Sequence, residues 1–306
     1  MVIHTKEINE RIENPAEFIA TGEKRLNAQI EQTAKSIIES GKEKPIILIS
    51  GPSGSSKTTT AIKLAKNLRS KGEKVCYISM DKYFKNFTPE EKVLKKENKI
   101  DLESPERVDG EYLNRDIDTL LNGGEICLPS YDFLTNTRTL SETKLKRNDG
   151  FVIIEGIHAL NPTLLGENDD TSEKIYVSVR TRVVDSNNDK LHPCKIRLCR
   201  RMIRDKLYRG RAFEDTIRLF AKVQRGENRF IMPYKSRADF NIDTFVDYEP
   251  CIYRKYLFEE LKKLQTEFAD IKDVVNALDE IEPIDETLIP TDAFIREFIG
   301  GSSLSY

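Results

Sequence analysis

The chain has 306 residues, 33% of them charged and 38% hydrophobic, with a formal net charge of −2; this is the balance of a globular protein with one large or two modest domains. That charge argues against a general nucleic-acid or membrane-surface binder. No apolar run approaches a membrane span, and the start, MVIHTKEINERIENP, lacks the apolar core of a secretory signal. Five cysteines (Cys76, Cys127, Cys194, Cys199, Cys251) form no zinc spacing, so reduced thiols in a cytoplasmic protein are expected.

Residues 1–44 read as an N-terminal helical extension. Asn14 suits an N-cap, Pro15 the first helical position and Glu17 an acidic first turn. Across residues 12–41, Ile19, Leu26, Ile30, Ala34 and Ile37 share one stripe, and Gly41 stops the pattern. Residues 46–61, IILISGPSGSSKTTTA, then read as a buried strand, a Gly/Ser turn and the start of a helix continued by Ile62, Leu64, Ala65 and Leu68. Such a turn curls its backbone N–H groups around one anion, and the helix N-terminus adds its own. Gly51, Ser53, Gly54, Ser55, Ser56, Lys57, Thr58 and Thr59 are the expected triphosphate cradle, with Lys57 reaching the β- and γ-phosphates and the Thr58 hydroxyl ligating Mg²⁺. Ser56 replaces the second glycine of G-x-x-x-x-G-K-[ST], and a side chain there narrows the approach to the phosphate.

A second buried strand is expected at 74–79 (KVCYIS), directly followed by Met80-Asp81-Lys82-Tyr83-Phe84. A carboxylate just past the carboxyl end of a parallel strand faces the ligand crevice, although capping a turn is the ordinary use of such an aspartate. Residues 89–97 suggest a solvated helix, and 110–121 another after Asp101-Leu102-Glu103-Ser104-Pro105. In residues 125–133 (EICLPSYDF), Pro129 points to an edge strand or hairpin. The run FVIIE at 151–155 is a fully buried strand delivering Glu155 to the metal region. Strands at 174–179, after polar and mobile residues 166–173, and at 238–243 complete an alternating pattern, hence a parallel sheet covered on both faces. His158 reads as a structural histidine.

Residues 195–211, KIRLCRRMIRDKLYRGR, set eight basic residues against Asp205 alone. A solvated face and an RNA-binding face are both compatible with this run. Beside a phosphate-binding loop, a lid whose arginines close over the triphosphate is the stronger reading, with Gly210 reversing the chain. A helix over 252–271 places Leu257, Leu261, Leu264, Phe268 and Ile271 on one stripe, and a short helix near 293–298 precedes Gly300-Gly301.

Taken together, these separated motifs resemble the uridine/cytidine kinases, P-loop nucleoside kinases related to phosphoribulokinase and bacterial pantothenate kinase, over about residues 46–248. The ending IREFIGGS is also similar to the C-terminus of longer bacterial uridine-kinase-like proteins. By that resemblance Asp81 is the base facing the nucleoside 5′-hydroxyl, within a D-x-F-Y segment whose aromatics are exchanged here as Tyr83-Phe84. It implies that Glu103 holds the ribose hydroxyls, with Tyr83, Tyr131 and Phe133 of the Tyr131-Asp132-Phe133 step around the nucleoside. It places Glu155 near Mg²⁺, Arg201 near the ribose, Arg204 and Arg209 near ATP, and Arg211 beside the base. Asn136 stands where the family has histidine in its H-[ST]-R step, and Leu219 where animal enzymes have a glutamine that reads the base, so the departures concentrate in the base pocket.

The reading is therefore an α/β P-loop NTPase kinase fold: a five-stranded parallel sheet with helices on both faces, a β-hairpin substrate flap and a helical lid at about 193–212. The core spans 45–250, and 251–306 form a C-terminal helix and tail packed on it. ATP and Mg²⁺ are the expected cofactors and a small-molecule nucleoside the partner, with no nucleic acid or membrane. The resemblance makes a homo-oligomer plausible, with the N-terminal helix as a candidate contact. Two rivals stand: a P-loop kinase of another small alcohol, and a nucleotide-binding regulator without turnover.

Overall fold

Five runs rich in β-branched residues build one sheet, all strands parallel. In chain order they are β1 (Ile46–Ser50), β2 (Val75–Ser79), β3 (Phe151–Glu155), β4 (Ser172–Ser178) and β5 (Phe240–Asp243), and they lie side by side as β5-β4-β1-β3-β2. The protein is described by a computed structural model covering residues 1–41, 43–97, 99–133 and 135–305. Because strand side chains alternate, β1 feeds two cores: Ile47 and Ile49 enter one hydrophobic cluster, Ile46 and Leu48 the other. β2 is only alternately buried, as befits the sheet edge. The register pairs Ile49 with Glu155, and Glu155 with Ser79. The carboxyl ends of β1, β3 and β2 thus finish level, where an open α/β sheet presents its ligands.

Helices α1 (Pro15–Ser40), α2 (Lys57–Ser70), α4 (Pro193–Arg209), α5 (Phe213–Phe230) and α6 (Glu249–Leu264) contribute to the first core, and α3 (Gly110–Leu121) with the hairpin to the second. The α1 stripe is buried as expected, Asn14 Oδ1 accepts from the Glu17 N–H at 3.5 Å, and Gly41 ends the helix at φ 81°. The helix starts at Pro15, since a separate helix, Thr5–Ile12, precedes it. The hairpin pairs Glu125–Asp132 with Thr137–Lys146, with an irregularity between Cys127 and Pro129 where the proline cannot donate to the ladder.

Several elements differ from expectation. β4 begins at Ser172, so residues 172–173 belong to the sheet rather than to a mobile approach. α6 stops at Leu264, and a further helix occupies Lys272–Asp279. The 18-residue α5 was not foreseen, although Ile217, Phe220 and Val223 give it a buried stripe. Nor was a small sheet of Val2–His4, Arg182–Val184 and Lys190–Leu191, whose strands are too short to show an alternation. Ile3 and Ile299 share one hydrophobic cluster with β1, so both ends of the chain pack into the core around the sheet. Among the described residues no helix is long and apolar enough to cross a membrane, and all five cysteines are free.

Candidate active site

The loop leaving β1 is shaped by close packing. A Cβ on Gly51 would lie 2.0 Å from the Val177 carbonyl of β4, so only glycine lets the chain turn there. The position usually held by a second glycine is left-handed: Ser56 has φ 63° and ψ 37°, a conformation that costs a non-glycine residue roughly 1–2 kcal/mol. Its hydroxyl is turned into the protein, 3.4 Å from Arg200 Nη1, and its carbonyl accepts from the Thr60 N–H at 3.0 Å, starting α2. The Ser56 side chain, expected to narrow the phosphate approach, is instead directed to the buried Arg200.

What holds the loop is α4, the arginine-rich helix. Arg197 and Arg200 are buried and make bidentate ion pairs, Arg197 with Glu227 (2.6 and 2.7 Å) and Arg200 with Glu249 (2.9 and 3.0 Å). From those anchors Arg197 donates to the Ser53 carbonyl at 2.9 Å and Arg200 to the Gly54 carbonyl at 3.1 Å. Thr244 donates to the Ser55 carbonyl at 2.9 Å, and Glu227 accepts the Ser53 N–H at 3.2 Å. In a trans peptide the N–H opposes the C=O. Pinning the Ser53 and Ser55 carbonyls backward thus turns the Gly54 and Ser56 N–H groups the other way, the arrangement an anion nest requires. The Thr59 side chain is a correction: it is fully buried, and its hydroxyl donates to Glu297 of the C-terminal segment rather than facing the loop's mouth.

The strand ends supply acids. Glu155 closes β3 in a buried position and accepts from Ser79 Oγ (2.8 Å), the Tyr77 hydroxyl (3.1 Å) and, at 3.5 Å, the Thr58 hydroxyl. Burial pushes its carboxyl up, Lys57 opposes this, and Asp81 adds to it. Asp81 lies in the turn Met80–Tyr83 after β2 and is exposed to solvent; the protein packed around that turn raises its carboxyl, against the charges of Lys57, Arg209 and Arg204. Glu103 is brought in by α5: a Cβ on Gly226 would lie 2.4 Å from the Glu103 Cβ, so the glycine permits the docking. Burial pushes Glu103 up to about 7, with Arg201 opposing and Glu227 reinforcing. The Lys57 charge thus acts on Asp81, Glu155 and Glu103 alike.

The hairpin adds an aromatic wall. Phe84, Tyr131 and Phe133 pack with ring centroids 5.0–5.8 Å apart. Tyr83 is not among them, a second correction: it is fully buried in the second core and donates its hydroxyl to Asp116 at 2.9 Å. The exchange of the two aromatics puts phenylalanine at the wall and tyrosine in the core. Asn136 occupies the hairpin turn at φ 57°. Leu219 is partly buried on α5.

The far end of α4 carries the remaining arginines. Arg201 is buried, donates to the Ser53 hydroxyl, and is pushed down to about 10 by burial and the nearby Arg204. Arg204, Arg209 and Arg211 surround the fully buried Asp205 at 3.0, 3.4 and 2.9 Å. His158 is buried edge-on to Phe230, and burial takes it down to about 4.

Glu227, Glu249, Asp205 and Glu297 were missed as site-shaping residues. The one available signal was the spacing of Arg197, Arg200 or Arg201, and Arg204, which share a helix face and call for acidic partners; those of Arg197 and Arg200 lie 30 and 49 residues away. Among the described residues no group of three or more His, Cys, Asp or Glu could hold a metal by themselves. A Mg²⁺ site built from one hydroxyl and one carboxylate, completed by water and phosphate, fits Thr58 and Glu155, since such ions take few protein oxygens.

Residues 46–249 match the model of the phosphoribulokinase/uridine kinase family. The uridine kinase of Macrococcus caseolyticus (strain JCSC5402) is 35% identical over 201 residues, 64% of this chain and 86% of that protein. The uridine kinase of Staphylococcus haemolyticus (strain JCSC1435) is 33% identical with the same coverage. A solved structure from Silicibacter sp. TM1040, attributed to a fructose transport system kinase, superposes with a TM-score of 0.53 at 18% identity, covering 69% of this chain and 98% of the other; it supports the fold. The chain belongs to the phosphoribulokinase/uridine kinase family.

Proposed function

We propose that this family member transfers the γ-phosphate of ATP to the 5′-hydroxyl of a pyrimidine nucleoside, uridine or cytidine, as a cytoplasmic enzyme. The observation carrying this reading is that β1, β3 and β2 end level, with Lys57 opening the helix after β1 and Asp81 in the turn after β2, and that the charges of Lys57, Arg209 and Arg204 act on Asp81. A loop that grips phosphate beside a carboxylate that can meet an alcohol is the arrangement phosphoryl transfer to a hydroxyl requires.

In this mechanism the Lys57 ammonium and the backbone N–H groups of Gly54, Ser56, Lys57, Thr58 and Thr59 hold the triphosphate, while Gly51, the hydroxyl of Ser53 and the backbone of Ser55 shape the cradle. Thr58 and Glu155 would hold Mg²⁺, which would supply neutralisation of the phosphate charge. Glu103 and Arg201 orient the ribose, while Tyr131, Phe133 and Arg211 enclose the base with Asn136 at the hairpin turn. Asp81 accepts the proton of the attacking hydroxyl as the oxygen–phosphorus bond forms and ADP leaves in line. Arg204 and Arg209, on a lid formed by the end of α4 and the Arg209-Gly210-Arg211 turn, stabilise the charge spread over the transferring group. The substrates are small molecules, and neither nucleic acid nor membrane takes part.

The test is acceptor-dependent ADP release with a panel of nucleosides and simple alcohols. Asp81→Asn should lower turnover with uridine or cytidine by about 10²–10⁴-fold while leaving ATP binding intact. Transfer only to a non-nucleoside alcohol would reassign the acceptor. ATP binding with no acceptor-dependent turnover, unchanged by Asp81→Asn, would make the chain a nucleotide-binding regulator.

A further inference from the structure

Four guanidinium groups crowd one end of α4, and like charges at that spacing repel. Asp205 is the acid set among them. Its carboxylate is fully buried, accepting from Arg204 Nε and Nη2 at 3.2 and 3.0 Å and from Arg211 Nη1 at 2.9 Å, with Arg209 Nη1 at 3.4 Å. Its main-chain carbonyl takes the N–H of Gly210 and, at 3.0 Å, that of Arg211. One residue therefore fixes both the backbone of the Arg-Gly-Arg turn and the side chains flanking it.

We propose that Asp205 is a positioning residue for phosphoryl transfer: it gathers Arg204, Arg209 and Arg211 into one bundle and keeps Arg204 and Arg209 aimed at the crevice that holds Asp81. It acts through the arginines and touches no substrate itself. Three observations support this. Burial opposes charge on Asp205, yet Arg204, Arg201 and Arg209 hold its carboxyl below the usual range, so it stays ionised beside them. The charges of Arg204 and Arg209 both act on Asp81, so these two arginines lie within electrostatic reach of the acceptor side. The loop that grips phosphate is anchored separately by Arg197 and Arg200. Aiming the arginines and holding the nucleotide are thus separable tasks.

The inference rests on the proposed kinase activity for its kinetic consequence, so its test includes a readout free of turnover. In the full chain, Asp205→Asn keeps the shape and removes the charge, and Asp205→Glu keeps the charge. Phenylglyoxal labelling of Arg204, Arg209 and Arg211, followed by mass spectrometry, should accelerate in the Asn variant and stay slow in the Glu variant. With ATP and uridine, the Asn variant should lose about 100-fold in kcat, the scale of misplaced catalytic groups. Directly measured Mg·ADP binding should fall far less, and the Glu variant should regain turnover. Unchanged labelling, or an unchanged kcat, overturns the proposal. So does an equal loss of kcat, ADP binding and thermal midpoint with Glu no better than Asn, which marks a purely structural acid. If the parent chain phosphorylates no nucleoside, the kinase reading fails, and accelerated labelling alone still establishes that Asp205 gathers the arginines.

Discussion

The two halves of α4 carry the same residue type to opposite ends. In the first half, Arg197 and Arg200 are buried against Glu227 and Glu249 and brace the phosphate-gripping loop from behind. In the second, Arg204, Arg209 and Arg211 keep some exposure and share a single acid, and the charges of Arg204 and Arg209 act on Asp81. An arginine paired one-to-one with a buried carboxylate is fixed in place. Three arginines sharing one carboxylate have charge to spare for an incoming phosphate. Partner count and burial, rather than residue type, separate the bracing arginines from those proposed to act on the phosphate.

The sharpest way to break that contrast is Arg200→Ala. It leaves Glu249 buried and unpaired, and losses of about 3–5 kcal/mol in unfolding free energy are expected for that change; urea or guanidinium titration measures it. A loss below about 1 kcal/mol would mean that the first half is no more structural than an exposed ion pair. Arg204→Ala should show the reverse pattern. Asp205 retains Arg209 and Arg211, so stability should change little, while kcat should fall by about 10²–10³-fold, as when one donor to a developing negative charge is removed.

A smaller effect is expected from pH. Glu103 is raised to about 7, first by burial. Below that value it is protonated, and above it the carboxylate is free to accept from the ribose, the role proposed for it. The KM for the nucleoside should therefore fall as pH rises through about 7, and Glu103→Gln should flatten the dependence. The linkage sign is opposite for stability. The folded state keeps a proton that the unfolded chain has already released, so this group's contribution weakens as pH climbs toward 7. Smallest of all should be Ser56→Gly. Relief of the left-handed serine should raise stability by no more than about 1 kcal/mol, with the KM for ATP unchanged. A marked drop in that KM would show that the hydroxyl obstructs the loop after all.

Local pattern made much of the molecule legible. The apolar run at 46–50, the Gly/Ser turn and Lys57-Thr58 announced a strand, an anion-binding loop and a helix, because each depends on neighbours in the chain. Asn14-Pro15 marked a helix start and Pro129 a hairpin for the same reason. Tyr83 and Thr59 were placed by motif position, and motif position does not say which way a side chain turns. The register of β2 and the docking of the C-terminal segment sent them into the core. The left-handed Ser56 was likewise invisible, since a hydroxyl 144 residues from Arg200 receives its contact only once the chain has folded.

By itself the sequence determined the alternation of strands and helices, the chemistry of the phosphate loop, and the acids waiting at the strand ends. Those depend on side-chain periodicity and on groups adjacent in the chain. The tertiary structure alone decided which arginines became bracing and which were left to face the crevice. Burying a guanidinium requires a carboxylate from elsewhere in the chain, and Glu227 and Glu249 reach Arg197 and Arg200 only when α5 and α6 pack against α4.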